Sequence, residues 1–233
     1  MEGIRNALQA YWYAIKSLYE ELYLLVLLNL LWAALTLPIL APFLVLWLFL
    51  PIPAPAVALA LLLPTPPSAA MYYVAHMIVH ERRVPGVSMF WEGLRTYWRQ
   101  SLVMLLIGVV GTALLWFNVA FYAGLSDWFG PPLTIVFLYA LLIWLVMQVY
   151  TLPLLMEQTD KRLRLVYKNT FFITFGNLGF NIVFAILLAV TIGLSVLLTI
   201  PMIILTMGFV ALYASHGLLA ILRAKGLRPP ADS

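Results

Sequence analysis

The chain of 233 residues is 64% hydrophobic and only 9% charged, carries a formal net charge of +4, and has no cysteine. A soluble domain carries about a quarter charged residues and disorder needs low hydrophobicity, so both classes are excluded and the membrane class remains. Without cysteine there is no disulfide, no thiolate metal site and no cysteine nucleophile.

In residues 1–21, Ile4, Leu8, Tyr11, Trp12, Ile15, Leu18 and Tyr19 recur at spacings of three and four. That period predicts an amphipathic helix, and its Trp and Tyr content suits the headgroup level of a bilayer. A signal peptide is not expected, because no compact basic region precedes a short apolar run. From Leu22 to His80 there is no Asp, Glu, Lys or Arg over 59 residues. A membrane helix needs about 20 apolar residues, so this run holds two spans, near 22–50 and 56–80. Pro38 and Pro42 are expected to bend or end the first, and the prolines at Pro51–Pro55 to form the turn. The second is interrupted around Pro64–Pro67, either as a kink buried in the bundle or as a break lining a substrate path.

Phe90, Leu94, Tyr97 and Trp98 form a second amphipathic stripe, read as interfacial or as a docking surface for a partner protein. The later charge-free runs are Gln100–Ser126, Trp128–Met156 and Asn169–Leu222, of 27, 29 and 54 residues. They give spans near 101–124, 132–156, 169–194 and 201–222. The expected fold is therefore all-α: a single integral membrane domain, a six-helix transmembrane bundle with N-terminal and loop interfacial helices. All thirteen basic residues fall on one side of that arrangement and the opposite side receives Asp127. The positive-inside rule then puts both termini in the cytoplasm of a bacterial-type plasma membrane.

Five stretches carry a resemblance. They are LNLLW at Leu28–Trp32, TPPSAAMYYV at Thr65–Val74, FWEGLRTYWRQS at Phe90–Ser101, YTLPLL at Tyr150–Leu155 and YKNTFFITFGNLG at Tyr167–Gly179. In that order they resemble the YesL-like family of bacterial integral membrane proteins, whose function is unknown. The resemblance implies a link to carbohydrate uptake and supplies no catalytic residues. Ile39–Leu63 departs from it, being longer and richer in proline than the family's link between its first helices. WRQS at Trp98–Ser101 and YKNT at Tyr167–Thr170 share an aromatic, basic, amide, hydroxyl order that an internal repeat or coincidence would give.

Candidate chemistry is sparse. His76 and His80 lie four apart and share one helix face. His216 and Glu157 fall near the same membrane depth at the ends of other spans. Histidines with a carboxylate can bind zinc. Yet HMIVHE follows neither the HExxH nor the HxxEH pattern. The sequence favours a membrane border at His80 and Glu81, with His76 hydrogen-bonded inside and no metal or cofactor. Asn29, Asn118, Gln148, Asn177 and Asn181 are the intramembrane amides, suited to joining helices or to lining a sugar-binding groove. No ionisable side chain sits at mid-depth, which argues against an ion-coupled pump. No hydrolase, P-loop or paired-carboxylate motif appears, and no soluble basic fold exists for nucleic acid. The basic loop after Glu157 suits anionic headgroups, yet the positive-inside rule requires the same charges.

The reading is a non-catalytic accessory or scaffold component associated with carbohydrate uptake. Its partner contact is expected at Phe90, Glu92, Leu94, Arg95, Trp98 and Arg99, and its partners are the lipid bilayer and a sugar-uptake transporter subunit. The alternatives are an autonomous small-solute transporter or channel, and a membrane metalloenzyme.

Overall fold

A computed structural model describes residues 2–49, 64–81, 86–198 and 202–229. All regular structure among them is helical. The elements are α1 (Glu2–Glu20), α2 (Leu22–Phe49), α3 (Pro66–His76), α4 (Val87–Ala123), α5 (Gly130–Glu157), α6 (Leu163–Phe175), α7 (Leu178–Leu198) and α8 (Met207–Ala224). A π-helical turn, Met77–Glu81, extends α3, and another, Met202–Thr206, leads into α8. Among the described residues, five helices are long and apolar enough to cross a bilayer: α2, α4, α5, α7 and the stretch Ile204–Ala224. The chain is an all-α polytopic membrane protein. The expected second span is described only from residue 64. The turn at Pro51–Pro55 and the basic pair Arg82 and Arg83 lie outside the described residues.

The topology repeats. An amphipathic helix leads into an outgoing helix, and a returning helix follows: α1 and α2 then α3, the two halves of α4 then α5, α6 and α7 then α8. The returning helices α3, α5 and α8 pack against one another as a central triad. Pro66–Tyr72 of α3, Met147–Met156 of α5 and most of α8 are buried. Their sequences explain this. Ser68, Ala69, Ala70 and Ala75, with Gly208, Ala211, Ala214 and Gly217, keep side chains small where backbones approach. Close van der Waals packing, rather than hydrophobicity, joins helices in lipid. The outgoing helix α4 instead exposes Leu102, Val103, Leu106, Val110, Leu114 and Phe117, an apolar face that suits hydrocarbon.

The Thr-Pro-Pro-Ser sequence starts a helix, and the chain before residue 64 lies outside the described residues. Thr65 is the N-cap of α3, and Pro66 and Pro67 occupy the first helical turn, where a missing N–H costs nothing. The Thr65 hydroxyl accepts from the Ser68 amide at 3.3 Å and pairs with the Ser68 hydroxyl at 2.8 Å. Trp32 of α2 donates its indole N–H to Ser68 Oγ at 3.0 Å. All of these groups are buried. Thr65→Ala is expected to destabilise the fold by about 1 kcal/mol, the usual cost of a lost cap, while Thr65→Ser stays close to the parent. Unfolding midpoints in detergent check this; identical midpoints for the two variants would count against the cap.

Three sequence expectations are refined by the helices. Helix α2 runs through Pro38 and Pro42 without ending. Helix α1 lies on the bundle by its small residues Ala7, Ala10 and Ala14, while Ile4, Leu8, Trp12, Ile15 and Tyr19 face outward. Tyr11 alone among its large aromatics turns inward, stacking edge-on against Phe209 and Tyr213. The span expected from residue 169 begins at Leu178. Residues 163–175 form the separate helix α6, which ends at Gly176, beside Lys225 Nζ. Arg164, Lys168, Phe171, Phe172 and Phe175 are exposed on α6, so it is a third amphipathic helix. Trp98 is exposed whereas Tyr167 stacks on Trp144 at 6.2 Å, so the two four-residue motifs are not in equivalent surroundings.

Candidate metal centre

The returning helices bring His76, His80 and Glu157 together at one end of the bundle. The π-helical turn that begins at Met77 underwinds the ladder to i→i+5 bonding, which keeps residues four apart on one face. The two imidazoles consequently lie 4.4 Å apart, centre to centre. Glu157, the last residue of α5, meets them from the neighbouring helix. Its Oε2 lies 3.4 Å from His80 Nε2 and 3.9 Å from His76 Nδ1. One ligand atom from each of the three residues lies within 4.8 Å of the others.

Charged neighbours hold this carboxylate. Arg228 donates through Nε to Glu157 Oε1 at 2.8 Å and also through Nη2. Oε2 is buried and accepts no hydrogen bond among the described residues. Lys161 Nζ donates to the carbonyls of Leu155 and Met156 at 2.7 and 2.9 Å, closing the C-terminus of α5. Burial pushes the Lys161 ammonium below its ordinary pKa, and nearby Glu157 opposes that shift. In the same loop, the Arg162 side chain and amide hydrogen-bond Asp160 and hold its carboxyl below the usual range.

His216 does not join the cluster. Its Nε2 pairs with Ser17 Oγ at 3.0 Å and its ring stacks on Tyr13 of α1. Arg228 and Lys161 were legible in the sequence only as basic residues. The four-residue step from Glu157 to Lys161 was the one local hint, and nothing marked Arg228.

The five amides do not converge. Asn29 Oδ1 accepts from the Gly208 amide at 2.8 Å, two residues beyond the π turn before α8, where the ladder changes register. Asn118 donates back to Leu114 O on the outer helix α4, and Asn177 to Ile173 O. Asn181 accepts from Tyr150 Oη at 2.8 Å and donates to Thr174 O at 2.8 Å. Gln148 is buried. The amides with hydrogen-bond partners serve helix joints or cap local carbonyls, as buried polar groups in lipid must.

The stripe opening α4 divides between two faces. Phe90, Gly93 and Tyr97 are buried and Leu94 is partly buried against the core, so Phe90 and Leu94 face the bundle rather than a partner. At Gly93 a Cβ would come within 2.7 Å of Tyr73 Cβ, so only glycine fits this crossing. Trp91, Glu92, Arg95, Trp98 and Arg99 remain exposed. Tyr73 Oη donates to Glu92 Oε1 at 3.0 Å, and Arg99 lies over the Trp98 ring. Ser88, Trp91, Glu92, Arg95 and Thr96 line an open surface groove of about 580 Å³.

A family model described as "Protein of unknown function, DUF624" matches residues 25–119. That stretch contains three of the five motifs quoted above, those at Leu28–Trp32, Thr65–Val74 and Phe90–Ser101. No curated protein and no solved structure gives a match. The chain is thus an all-α membrane protein similar, over its first half, to a family of unknown function.

Proposed function

We propose that the chain is a non-catalytic accessory subunit of a carbohydrate-uptake system in a bacterial-type plasma membrane, with both termini cytoplasmic. The observation that carries this reading is the first half of α4. Phe90, Gly93 and Tyr97 mount it on the bundle, and its other face presents Trp91, Glu92 and Arg95 around a groove. A helix face with exposed Trp and Arg has the composition of a binding hot spot. The likeness to YesL-like proteins supplies the occupant, a transporter subunit of a sugar-uptake system. The amides weigh against an autonomous solute path, because those with partners spend their hydrogen bonds inside the bundle. The orientation rests on Lys161, Arg162, Lys225 and Arg228 at the end that carries Glu157, the end the positive-inside rule assigns to the cytoplasm.

Reversing both Glu92 and Arg95 tests this reading. Both side chains are exposed, and Glu92 gives up only the exposed hydrogen bond from Tyr73 Oη, an interaction class that contributes little at a solvated surface, so the double variant is expected to fold and insert normally. Like charges set against a partner cost several kcal/mol, so co-purification with the transporter subunit from the native host is expected to be lost. Undiminished association in the double variant, or no associated subunit with the parent, would refute docking through this face.

A further inference from the structure

We propose that His76, His80 and Glu157 form a zinc-type divalent metal site that clamps α3 to α5. The inference goes beyond the accessory reading and does not depend on it. Two imidazoles and one carboxylate make a donor set that zinc accepts, with metal–ligand bonds of about 2.0–2.2 Å. Ligands on a tetrahedral ion at such distances lie about 3.3–3.6 Å apart by the same bond lengths. The His80 Nε2 to Glu157 Oε2 separation is 3.4 Å and the His76 Nδ1 to Oε2 separation is 3.9 Å. The three ligand atoms lie within 4.8 Å of one another, so the imidazoles draw inward to close around an ion.

A second observation points to a ligand. The Glu157 side chain is only 10% exposed, and its Oε2 is buried, aimed at both imidazoles and without a hydrogen bond among the described residues. A buried carboxylate oxygen left in that state is costly. A metal ion between it and the imidazoles removes the deficit. Arg228, bound to Oε1, then orients the carboxylate as hydrogen-bonded partners of metal ligands commonly do. The π turn fits as well, since such turns are frequent at functional sites. The nearby cations do not forbid the ion: Arg228 is paired with Oε1 and Lys161 is held by two carbonyls. Neutral imidazoles alone bind zinc elsewhere, so full charge compensation is not required. Three protein ligands leave the fourth position to water.

The experiment uses the full chain in detergent, purified through a tag without histidine, stripped with chelator and titrated with Co²⁺. The expected result is one Co²⁺ per chain, with the intense visible bands of a four- or five-coordinate ion, displaced by Zn²⁺. Glu157→Gln and His80→Gln are expected to abolish the bands, and His216→Gln to keep them. Arg228→Gln is expected to weaken binding by about 10–100-fold, the usual effect of removing a group that orients a ligand. Absence of stoichiometric Co²⁺ bands in the parent would overturn the proposal. So would unchanged bands in monodisperse Glu157→Gln and His80→Gln, or, where either fails to fold, in His76→Gln. Because the readout is metal bound to the isolated chain, it is independent of any partner.

Discussion

Phe184→Ala is expected to destabilise the bundle by about 3 kcal/mol, the low end of the range for Phe→Ala in cores. The low end applies because the unpacked helix leaves its side chains in lipid, so lost packing rather than lost transfer dominates. Phe184 is fully buried on α7. Its ring stacks on Tyr213 at 4.1 Å and lies 5.3 Å from Tyr150 and 5.9 Å from Phe180. It presses on Gly217 of α8, where an added Cβ would approach Phe184 Cε2 to 2.7 Å. Gly217→Val alone is therefore expected to cost about 1–3 kcal/mol through overpacking. Combined with Phe184→Ala it should cost less than the sum, since the valine fills space the ring has left. Unfolding in a denaturing detergent titration reads all four species. Strict additivity would show that the two residues do not share this contact.

Asn181→Leu is the second large effect. The amide joins α5 to the break between α6 and α7, accepting from Tyr150 Oη and donating to Thr174 O. The carbonyl of Thr174 needs that donor because α6 has already ended at Phe175. Leucine leaves a phenol and a carbonyl without partners, at about 1–3 kcal/mol for each orphaned group. Tyr150→Phe placed on top of Asn181→Leu removes one of the two orphans and is expected to restore part of the loss. A double variant less stable than Asn181→Leu alone would contradict this account.

Much of the architecture was written in the distribution of charge. The interruptions at Asp127 and around Lys161 mark the ends of α4 and α5, and hydrocarbon tolerates no other frequent charges. The break at Gly176 and Asn177 was hidden because it lies inside the uncharged run from Asn169 to Leu222, where only turn chemistry signals it. The inner face of α1 was not singled out for a related reason. Periodicity singles out large apolar residues, yet in lipid the alanines make the contact and the large residues face out. At the candidate site, the spacing of His76 and His80 and the placement of Glu157 at a span's end were legible. Their meeting was not, because it depends on how α3 and α5 cross, and His216 at the same depth turned instead to Ser17. Of the stripe at the start of α4, Glu92, Arg95, Trp98 and Arg99 are outside, while Phe90 and Leu94 hold the helix down.

The burial of α8 has a consequence for the order of synthesis. Helix α8, one of the central triad, is the last of the described helices to leave the ribosome. Its span is 78% buried, against 17% for α4. Asn29 waits for Gly208, Tyr11 for Phe209 and Tyr213, and Ser17 for His216. Each partner arrives about 180 to 200 residues later, which at translation rates of about 5–20 residues per second means on the order of ten seconds or more. Through that interval α1, α2 and α3 sit in the bilayer with buried amides, hydroxyls and imidazoles still facing lipid or borrowed partners. A chain stopped before residue 202 would lack the helix on which α1 and α3 close, and would leave Asn29 without the Gly208 amide and Ser17 without His216.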